Sequence, residues 1–429
     1  MFEQNKFSIM TISSLFFAIT FLAIGYGMIL TFIGVYLKEM GVNDIAIAII
    51  NASFFLGAVG SSIFSQSIIS SVGHIRSFAT FAAIMVISFL LHSVFFNEYL
   101  WAILRAISGF SFYSLLIILE SWLNEKSTQD SRGKVLAIYT IIFYLSTALG
   151  QLFLNVDENF KQSIFTIGSV LILFSILFIS LTKIKEPDLK PFERISIPKV
   201  YSVVPLATTS SFLGGFIVGS FFTMAPVYIL TKFNSIEIVS YFMSIAILGG
   251  LISQWPVGIL SDKWGRRKLI SWVAAITAIT SILFLFTQDN ITYIYICAFL
   301  LGLTIFTIYP LSVARANDVL DEDSDLLEIS RTLLFTYGIG SFIGPLVIGI
   351  LLKYYEYSMF VLYFAIGIYL TFYALSKKRI ADDERSTFVN FPVTSGPELT
   401  MLDPRIDEEE IGEEEVKEEE NKTEESSKN

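Results

Sequence analysis

Twelve stretches of this chain are apolar enough and long enough to cross a membrane. A helix needs about 20 mostly apolar residues to span the hydrocarbon core of a bilayer. With 54% hydrophobic and 16% charged residues among 429, the chain is predicted to be an all-α membrane protein. The predicted spans are Ser8–Leu37, Ile45–Ile69, Ser77–Phe96, Leu100–Asn124, Val135–Val156, Ser163–Leu181, Tyr201–Thr231, Ile238–Leu260, Leu269–Thr287, Thr292–Asn317, Thr332–Leu352 and Met359–Leu375.

Basic residues are divided unevenly between the loops on the two sides of the membrane. Lys and Arg concentrate in cytoplasmic loops. The loops on one side hold single lysines, namely Lys38, Lys161, Lys232 and Lys353. The loops on the other side hold most of the basic residues, among them Arg76, Lys126, Arg132, Lys134, Lys263, Arg266, Arg267, Lys268, Lys377 and Lys378. We therefore predict that both termini lie in the cytosol.

Polar segments divide the chain further. Residues 183–200 form the longest internal polar stretch, and we predict a cytoplasmic linker between an N-terminal six-helix half (1–182) and a C-terminal half (201–381). Residues 382–429 hold about 17 acidic and about 5 basic side chains. They have few apolar residues to bury, so we predict a disordered acidic cytoplasmic tail. A solvating tail is the simpler interpretation, and a docking site for a basic partner is the alternative.

The two halves can be laid over each other with an offset of about 192 to 194 residues. Glycines recur at matched places in the two halves. The matched pairs are Gly57 with Gly249, Gly73 with Gly265, Gly109 with Gly302, and Gly150 with Gly344. Because six spans per half keep the halves in the same orientation, we predict parallel repeats related by an axis along the membrane normal.

A charged loop follows the eighth predicted span. Asp262 lies at the end of the span, Gly265 permits a tight turn, and Arg266 and Arg267 follow. The arginines can pair with carboxylates on a neighbouring helix, and such pairs would hold the cytoplasmic side closed. We therefore predict a cytoplasmic gate here. The alternative is that these arginines only follow the excess of basic residues in cytoplasmic loops.

One arginine lies inside a predicted span. Arg105 is a turn or two from the outer end of the fourth span, and Ala298 occupies the matching place in the second half. A guanidinium at membrane depth costs at least about 2.5 kcal/mol unless it is paired or hydrated, and arginine keeps its proton in proteins. We predict a role for Arg105 in substrate binding or proton coupling. A structural tie to backbone carbonyls is the alternative.

Glu120 and Gln151 complete the predicted substrate or proton-coupling site. A carboxylate partly removed from water, as expected for Glu120, can carry a proton, although a paired interfacial acid is the competing interpretation. Gln151 lies among polar residues of the spans that can line a cavity. The single cysteine, Cys297, matches no metal-ligand spacing, and the chain has two histidines. We predict no metal site and no cofactor.

The loop around Asp262 and Gly265 resembles the signature of major facilitator superfamily permeases. The chain is also similar to the YcaD-like branch of bacterial members, over its whole length except the acidic tail. Six stretches carry the likeness to that branch: residues 72–79, 120–125, 132–136, 150–151, 309–318 and 344–345. The resemblance implies a fold of two six-helix repeats and a transporter that works by alternating access. In the first half Ser70 stands where the signature has Asp.

Two more motifs are similar to those of superfamily members. Glu125 and Arg132 have the spacing found at the end of the fourth span in sugar-porter-like members, which implies that both join the cytoplasmic gate. Arg105 and Gly109 are spaced as in a fourth-span motif that proton-coupled members tie to proton transfer.

The sequence predicts a secondary active transporter for a small solute, with the proton as the candidate coupling ion. A membrane enzyme is disfavoured, since we find no cluster of catalytic side chains and no P-loop for ATP. The remaining alternative is a non-transporting sensor or scaffold that signals through the acidic tail. We expect a monomer in the lipid of the cytoplasmic (inner) membrane, with a small-molecule substrate of unknown class and no nucleic-acid partner.

Overall fold

The computed structural model describes residues 2–127, 129–155, 163–181, 197–287, 290–319, 326–378 and 392. Side chains are described for these residues except at 2–12, 124–126, 129–133 and 326–328. Most of the predicted linker and the whole acidic tail, apart from Pro392, lie outside the described residues.

Fourteen α-helices cover nearly all of the described chain. They are α1 (Phe2–Glu39), α2 (Asp44–Val72), α3 (His74–Val94), α4 (Glu98–Lys126), α5 (Gln129–Leu152), α6 (Ser163–Ser180), α7 (Ile197–Val203), α8 (Pro205–Phe233), α9 (Ile236–Trp264), α10 (Arg266–Leu283), α11 (Ile291–Ile305), α12 (Ile308–Asn317), α13 (Leu326–Leu352) and α14 (Ser358–Ser376). Two single turns of 3-10 helix follow α5 and α10.

Twelve segments of these helices are long and apolar enough to cross a membrane. Each overlaps one predicted span, so the all-α membrane fold with twelve spans is confirmed. We call α1–α6 the first half and α8–α14 the second half. The face at which α1 begins and α14 ends is the terminal face, and the other is the opposite face.

Two spans are broken, which the sequence prediction did not anticipate. The seventh starts with the short helix α7, inside the end of the predicted linker, and α8 begins only at Pro205. A residue before proline avoids the helical region, and Val204 has φ −123° and ψ 61°. The tenth span divides into α11 and α12, because Pro310 cannot donate to the carbonyl of Phe306.

Glycines at matched places bring the helices of each half into contact. A β-carbon at Gly109 of α4 would collide with the carbonyl oxygen of Phe54 on α2, and one at Gly302 of α11 would collide with that of Ala246 on α9. Gly150 packs in the same way against Ile24, and Gly344 against Phe216. The glycine repeat in the sequence is therefore a repeat of close backbone packing.

The two halves contact each other toward the opposite face. A β-carbon on Gly349 of α13 would overlap that of Ala48 on α2. The Ser240 hydroxyl of α9 donates to the Gln151 carbonyl at 2.7 Å, and the Ser244 hydroxyl donates to the Ala148 carbonyl at 3.0 Å. These contacts join α2 to α13 and α5 to α9, so the halves are held together near the opposite face.

Candidate functional site

A small cavity lies between the halves. It is lined by α2, α4 and α13, through Ala58, Val59, Ser61, Ser62, Tyr113, Ile117, Leu334, Tyr337 and Gly338. Its volume of about 10 Å³ has room for one water molecule. This cavity is too small for a solute, so a solute would need the halves to move apart here.

Polar contacts between the halves continue near this cavity. The Gln254 side-chain amide donates to the Tyr144 hydroxyl at 3.3 Å, and the Tyr144 ring lies 6.0 Å from the Phe306 ring. Tyr144 belongs to α5, whereas Gln254 and Phe306 belong to the second half. A neutral hydrogen bond and a ring pair are each weak enough to exchange when the halves separate.

Arg105 of α4 is buried, with a relative exposure of 1%. Its guanidinium carbon lies 4.5 Å from the centre of the Phe54 ring, and its Nε and one Nη have no hydrogen-bond partner. A desolvated cation–π contact contributes about 2 kcal/mol, less than the several kcal/mol that burial of an unpaired charge costs. The alternative of a tie to carbonyls has no hydrogen bond to support it among the described residues.

The spacing of Arg105 and Gly109 explains how Phe54 reaches the guanidinium. Gly109 lies one helical turn beyond Arg105 and has no side chain, so the backbone of α2 approaches α4 at Phe54. This close approach places the Phe54 ring on the turn of α4 that carries the guanidinium. Gly109 therefore has two effects. It lets α2 and α4 pack closely, and it allows the Phe54 ring to cover the buried Arg105 guanidinium.

Other polar atoms around Phe54 also lack hydrogen bonds. The Tyr26 hydroxyl of α1 is buried and unpartnered, and so are both amide atoms of Asn51 on α2. The Tyr26 ring is stacked on Phe112 at 3.9 Å and lies 5.8 Å from Phe54. Buried polar groups are normally hydrogen-bonded, so this cluster is unusual.

Glu120 is fully buried on α4 and accepts a hydrogen bond of 2.8 Å from the Tyr139 hydroxyl of α5. It also interacts electrostatically with Tyr309, which belongs to α12 of the second half. Glu120 therefore lies inside the bundle near the boundary of the halves. Arg315, a conceivable partner for it, instead donates to the Lys378 carbonyl at 2.9 Å.

Gln151 lies at the contact between the halves rather than in the cavity. Its side-chain nitrogen donates to the main-chain carbonyl of Gly27 on α1 at 2.6 Å. Its main-chain carbonyl accepts a hydrogen bond from the Ser240 hydroxyl of α9. This residue joins three helices, which is a role in packing. Its predicted part in substrate or proton coupling stays a prediction.

The charged loop after α9 forms a compact ion cluster on the terminal face. Gly265 has φ +82°, a conformation that favours glycine, and it makes the tight turn between α9 and α10. The buried Arg266 lies 2.8 Å from the Asp262 carboxylate and 3.5 Å from the Asp318 carboxylate. Asp318, at the end of α12, was missed by the sequence reasoning. The repeat offset would have found it, because Asp318 matches Glu125 of the first half at about 193 residues.

Arg267 binds a different element. It donates to the carbonyls of Leu375 at 3.2 Å and Lys377 at 2.7 Å, so it ties α10 to the end of α14. Glu125 and Arg132 belong to α4 and α5, but their side chains lie outside the described part of the chain. The two ion pairs of Arg266 with Asp262 and Asp318 lie within the second half, and a gate that includes Glu125 and Arg132 stays a prediction.

The fold of two matched six-span repeats defines the chain as a multi-pass membrane protein. The family model of the Major Facilitator Superfamily matches residues 15–323 and 207–395. The chain belongs to the Major Facilitator Superfamily, and within it to the branch of YcaD.

Two relatives carry the description "Uncharacterized MFS-type transporter YcaD". The one from Escherichia fergusonii is 25% identical over 312 residues, which cover 72% of this chain and 80% of the relative. The one from Salmonella arizonae is 25% identical over 337 residues, which cover 78% and 87%.

Solved structures share the fold. A bacterial homologue of the human lysosomal transporter Spinster, in an inward-facing and unoccupied conformation, superposes with a TM-score of 0.71 at 12% identity, over 86% of this chain and 97% of that one. The nucleoside transporter NupG superposes with a TM-score of 0.67 at 12% identity, over 87% of this chain and 100% of the NupG chain.

Proposed function

We propose that this protein is a secondary active transporter that moves a small solute across the cytoplasmic (inner) membrane by alternating access. The contact between the halves carries the proposal. The contacts of α2 with α13 and of α5 with α9 lie toward the opposite face, and the cavity is lined by both halves. Rocking of one half on the other would open this seam and enlarge the cavity. The excess of basic residues supports a cytosolic terminal face.

The proton is the proposed coupling ion. Glu120 supports this because it is a fully buried carboxylate near the boundary of the halves, and it accepts a hydrogen bond from the Tyr139 hydroxyl. A carboxylate in such surroundings can bind and release a proton as the halves move and its exposure to water changes. The cluster of Asp262, Arg266 and Asp318, with Arg267, is proposed to close the terminal face in the other state, together with Glu125 and Arg132.

The experiment is a reversible lock on the opposite face. We would replace Cys297 by Ser and introduce Ala48→Cys and Gly349→Cys, since β-carbons at these positions would adjoin. The protein is reconstituted in liposomes and offered a mixture of solutes that includes nucleosides, because the structural relative NupG is a nucleoside transporter. Accumulated solutes are identified by mass spectrometry. We expect oxidation to stop solute entry and a reductant to restore it.

The controls separate the alternatives. Oxidation should leave the flux of each single-cysteine variant at the level that the same variant shows under reducing conditions. Solute flux that continues in fully cross-linked protein would contradict alternating access. A deletion of residues 382–429 should leave flux unchanged in a transporter, whereas a sensor or scaffold that signals through its tail would show no flux in either form.

A further inference from the structure

Two buried polar side chains beside the Phe54 ring, Arg105 and Tyr26, point to a ligand, and a third, Asn51, lies one turn before Phe54 on α2. Two nitrogens of Arg105, the hydroxyl of Tyr26 and both amide atoms of Asn51 have no hydrogen-bond partner, and each of these side chains is at least nine-tenths buried. Tyr26 of α1 and Arg105 of α4 both lie beside the Phe54 ring, at 5.8 Å from its centre to that of the Tyr26 ring and 4.5 Å to the guanidinium carbon. The free groups of Arg105 and Tyr26 are donors, and donors around one cation suit an anion.

We propose that Arg105 and Tyr26 bind the carboxylate of a small monocarboxylate solute with an apolar body, and that the Phe54 ring covers this site in the present conformation. The inference rests on the proposed transport function and names the substrate class. A carboxylate accepts two parallel hydrogen bonds from a guanidinium, which a ring face cannot do.

Phe54 connects the buried cation to the cavity between the halves. Its ring lies 4.5 Å from the guanidinium of Arg105 and 6.1 Å from the ring of Tyr113, which lines the cavity. A solute in an enlarged cavity would therefore reach the cation when one side chain changes its rotamer. The solute would replace a cation–π contact by an ion pair. Its binding would be favourable because it pairs a buried charge that has no counter-charge in the absence of ligand.

The charge and shape of the solute follow from the surroundings. Arg105 is the one cation among the side chains that we place at the cavity or beneath Phe54, and none of the residues that line the cavity is charged. A second negative charge would be buried without a partner, which is costly. Phe54, Phe112 and Tyr113 are in ring contact with one another and offer aromatic faces. These features favour a monoanion with an apolar or aromatic body.

The test compares benzoate with benzamide, its neutral isostere, and with phthalate, a dianion of similar size. Binding to the full-length protein in detergent is measured by calorimetry and by the shift in thermal unfolding. We expect benzoate to bind at least about tenfold more tightly than benzamide or phthalate, since charge-assisted hydrogen bonds contribute at least about 1.5 kcal/mol. Arg105→Met should remove the preference for benzoate, and Tyr26→Phe should weaken benzoate binding about tenfold.

Lys232→Met is the matched control. Lys232 also lies over an aromatic ring, at 5.0 Å from that of Tyr357, but near the opposite face. This substitution should leave benzoate affinity unchanged. Phe54→Ala should speed the association of benzoate in stopped-flow measurements, because the covering ring is gone. If Arg105→Met does not fold, the proposal is tested with Tyr26→Phe and with the comparison of benzoate and benzamide in the wild type.

Equal affinity for benzoate and benzamide in the wild type, or unchanged benzoate affinity in Tyr26→Phe, would overturn the carboxylate site. The cross-linking experiment above uses none of these residues, so the two proposals fail separately. If the protein transports solutes but shows no preference for benzoate, the proposed substrate class is contradicted and the proposed transport function is still supported. If benzoate binds but the cross-link controls no solute flux, the proposed transport function is contradicted and the carboxylate site is still supported.

Discussion

The first and second halves pack alike, yet their buried arginines differ. In both halves glycines at matched positions bring the same pairs of helices together, Gly109 against Phe54 and Gly302 against Ala246. The first half buries Arg105, and the described part of the second half buries Arg266, Arg315 and Arg331, of which Arg266 is the most buried. Arg105 in the first half has a ring as its described neighbour and two unpartnered nitrogens, whereas Arg266 in the second half has two carboxylates within ion-pair distance.

Under the proposal above, Arg266 supports the fold and Arg105 is held for a ligand. Arg266 neutralises Asp262 and the buried Asp318, and it closes the turn between α9 and α10. The corresponding place in the first half is His74, and Arg105 corresponds to Ala298. The packing repeats between the halves, but the buried arginines do not. We therefore infer that these arginines serve functions that differ between the halves. Each of the following substitutions tests that separation.

The largest effect is expected for Arg266→Met. It leaves Asp318, whose side chain is 1% exposed, buried without its cation, and breaking a buried ion pair costs about 3 to 5 kcal/mol. The midpoint of thermal unfolding in detergent should fall sharply. Arg267→Met is the control, because its hydrogen bonds to backbone carbonyls are partly exposed, and it should cost about 1 kcal/mol. A mild effect of Arg266→Met would show that Arg266 is no more structural than Arg105.

Matched glycine substitutions test whether the halves really pack alike. Gly109→Ala and Gly302→Ala each force a methyl group against a backbone carbonyl that cannot move aside. Overpacking of this kind costs about 1 to 3 kcal/mol, and we expect two similar losses of unfolding free energy near the upper end. Gly60→Ala is the control, since its new methyl would meet a Phe110 ring atom at an ordinary 3.5 Å. Markedly different losses at the two matched sites would refute equivalent packing.

Arg105→Met should have the opposite sign. A buried cation without a carboxylate opposes folding, and replacement even of a buried ion pair by apolar residues of similar volume is often neutral or stabilising by about 1 to 4 kcal/mol. We expect the ligand-free protein to gain about 2 kcal/mol of unfolding free energy by this mechanism while it loses solute transport in liposomes. A structural arginine would instead show loss of stability, as predicted for Arg266→Met.

Periodicity and repeat analysis predicted much of this molecule. The twelve spans were predicted correctly, because a bilayer requires a fixed length of apolar helix. The glycine repeat predicted which helices approach most closely, because only a missing side chain permits such contact. The breaks at Val204 and near Phe306 were missed, since a tertiary fold can accommodate a proline either by bending a helix or by ending it.

The candidate site was less predictable. Arg105 was found because a cation in a span is rare. Its contact with Phe54 was not, because 40 phenylalanines give no sequence signal for the one that lies over a cation. The packing role of Gln151 depends on its contact with Gly27, which is distant along the chain. Side chains of one kind along a span thus differ in role only through their neighbours in space.

The smallest effect is expected for Lys232→Met, which repeats the Arg105 substitution at a cation that has partners. Lys232 donates to the Tyr357 hydroxyl at 3.2 Å and lies 4.0 Å from the Glu356 carboxylate, whose side chain is 59% exposed. Such contacts contribute about 0.5 to 1 kcal/mol, so the unfolding midpoint should fall slightly. If Lys232→Met raised it as Arg105→Met does, the gain would reflect loss of any cation from an apolar bundle, and the unpartnered state of Arg105 would no longer mark a ligand site.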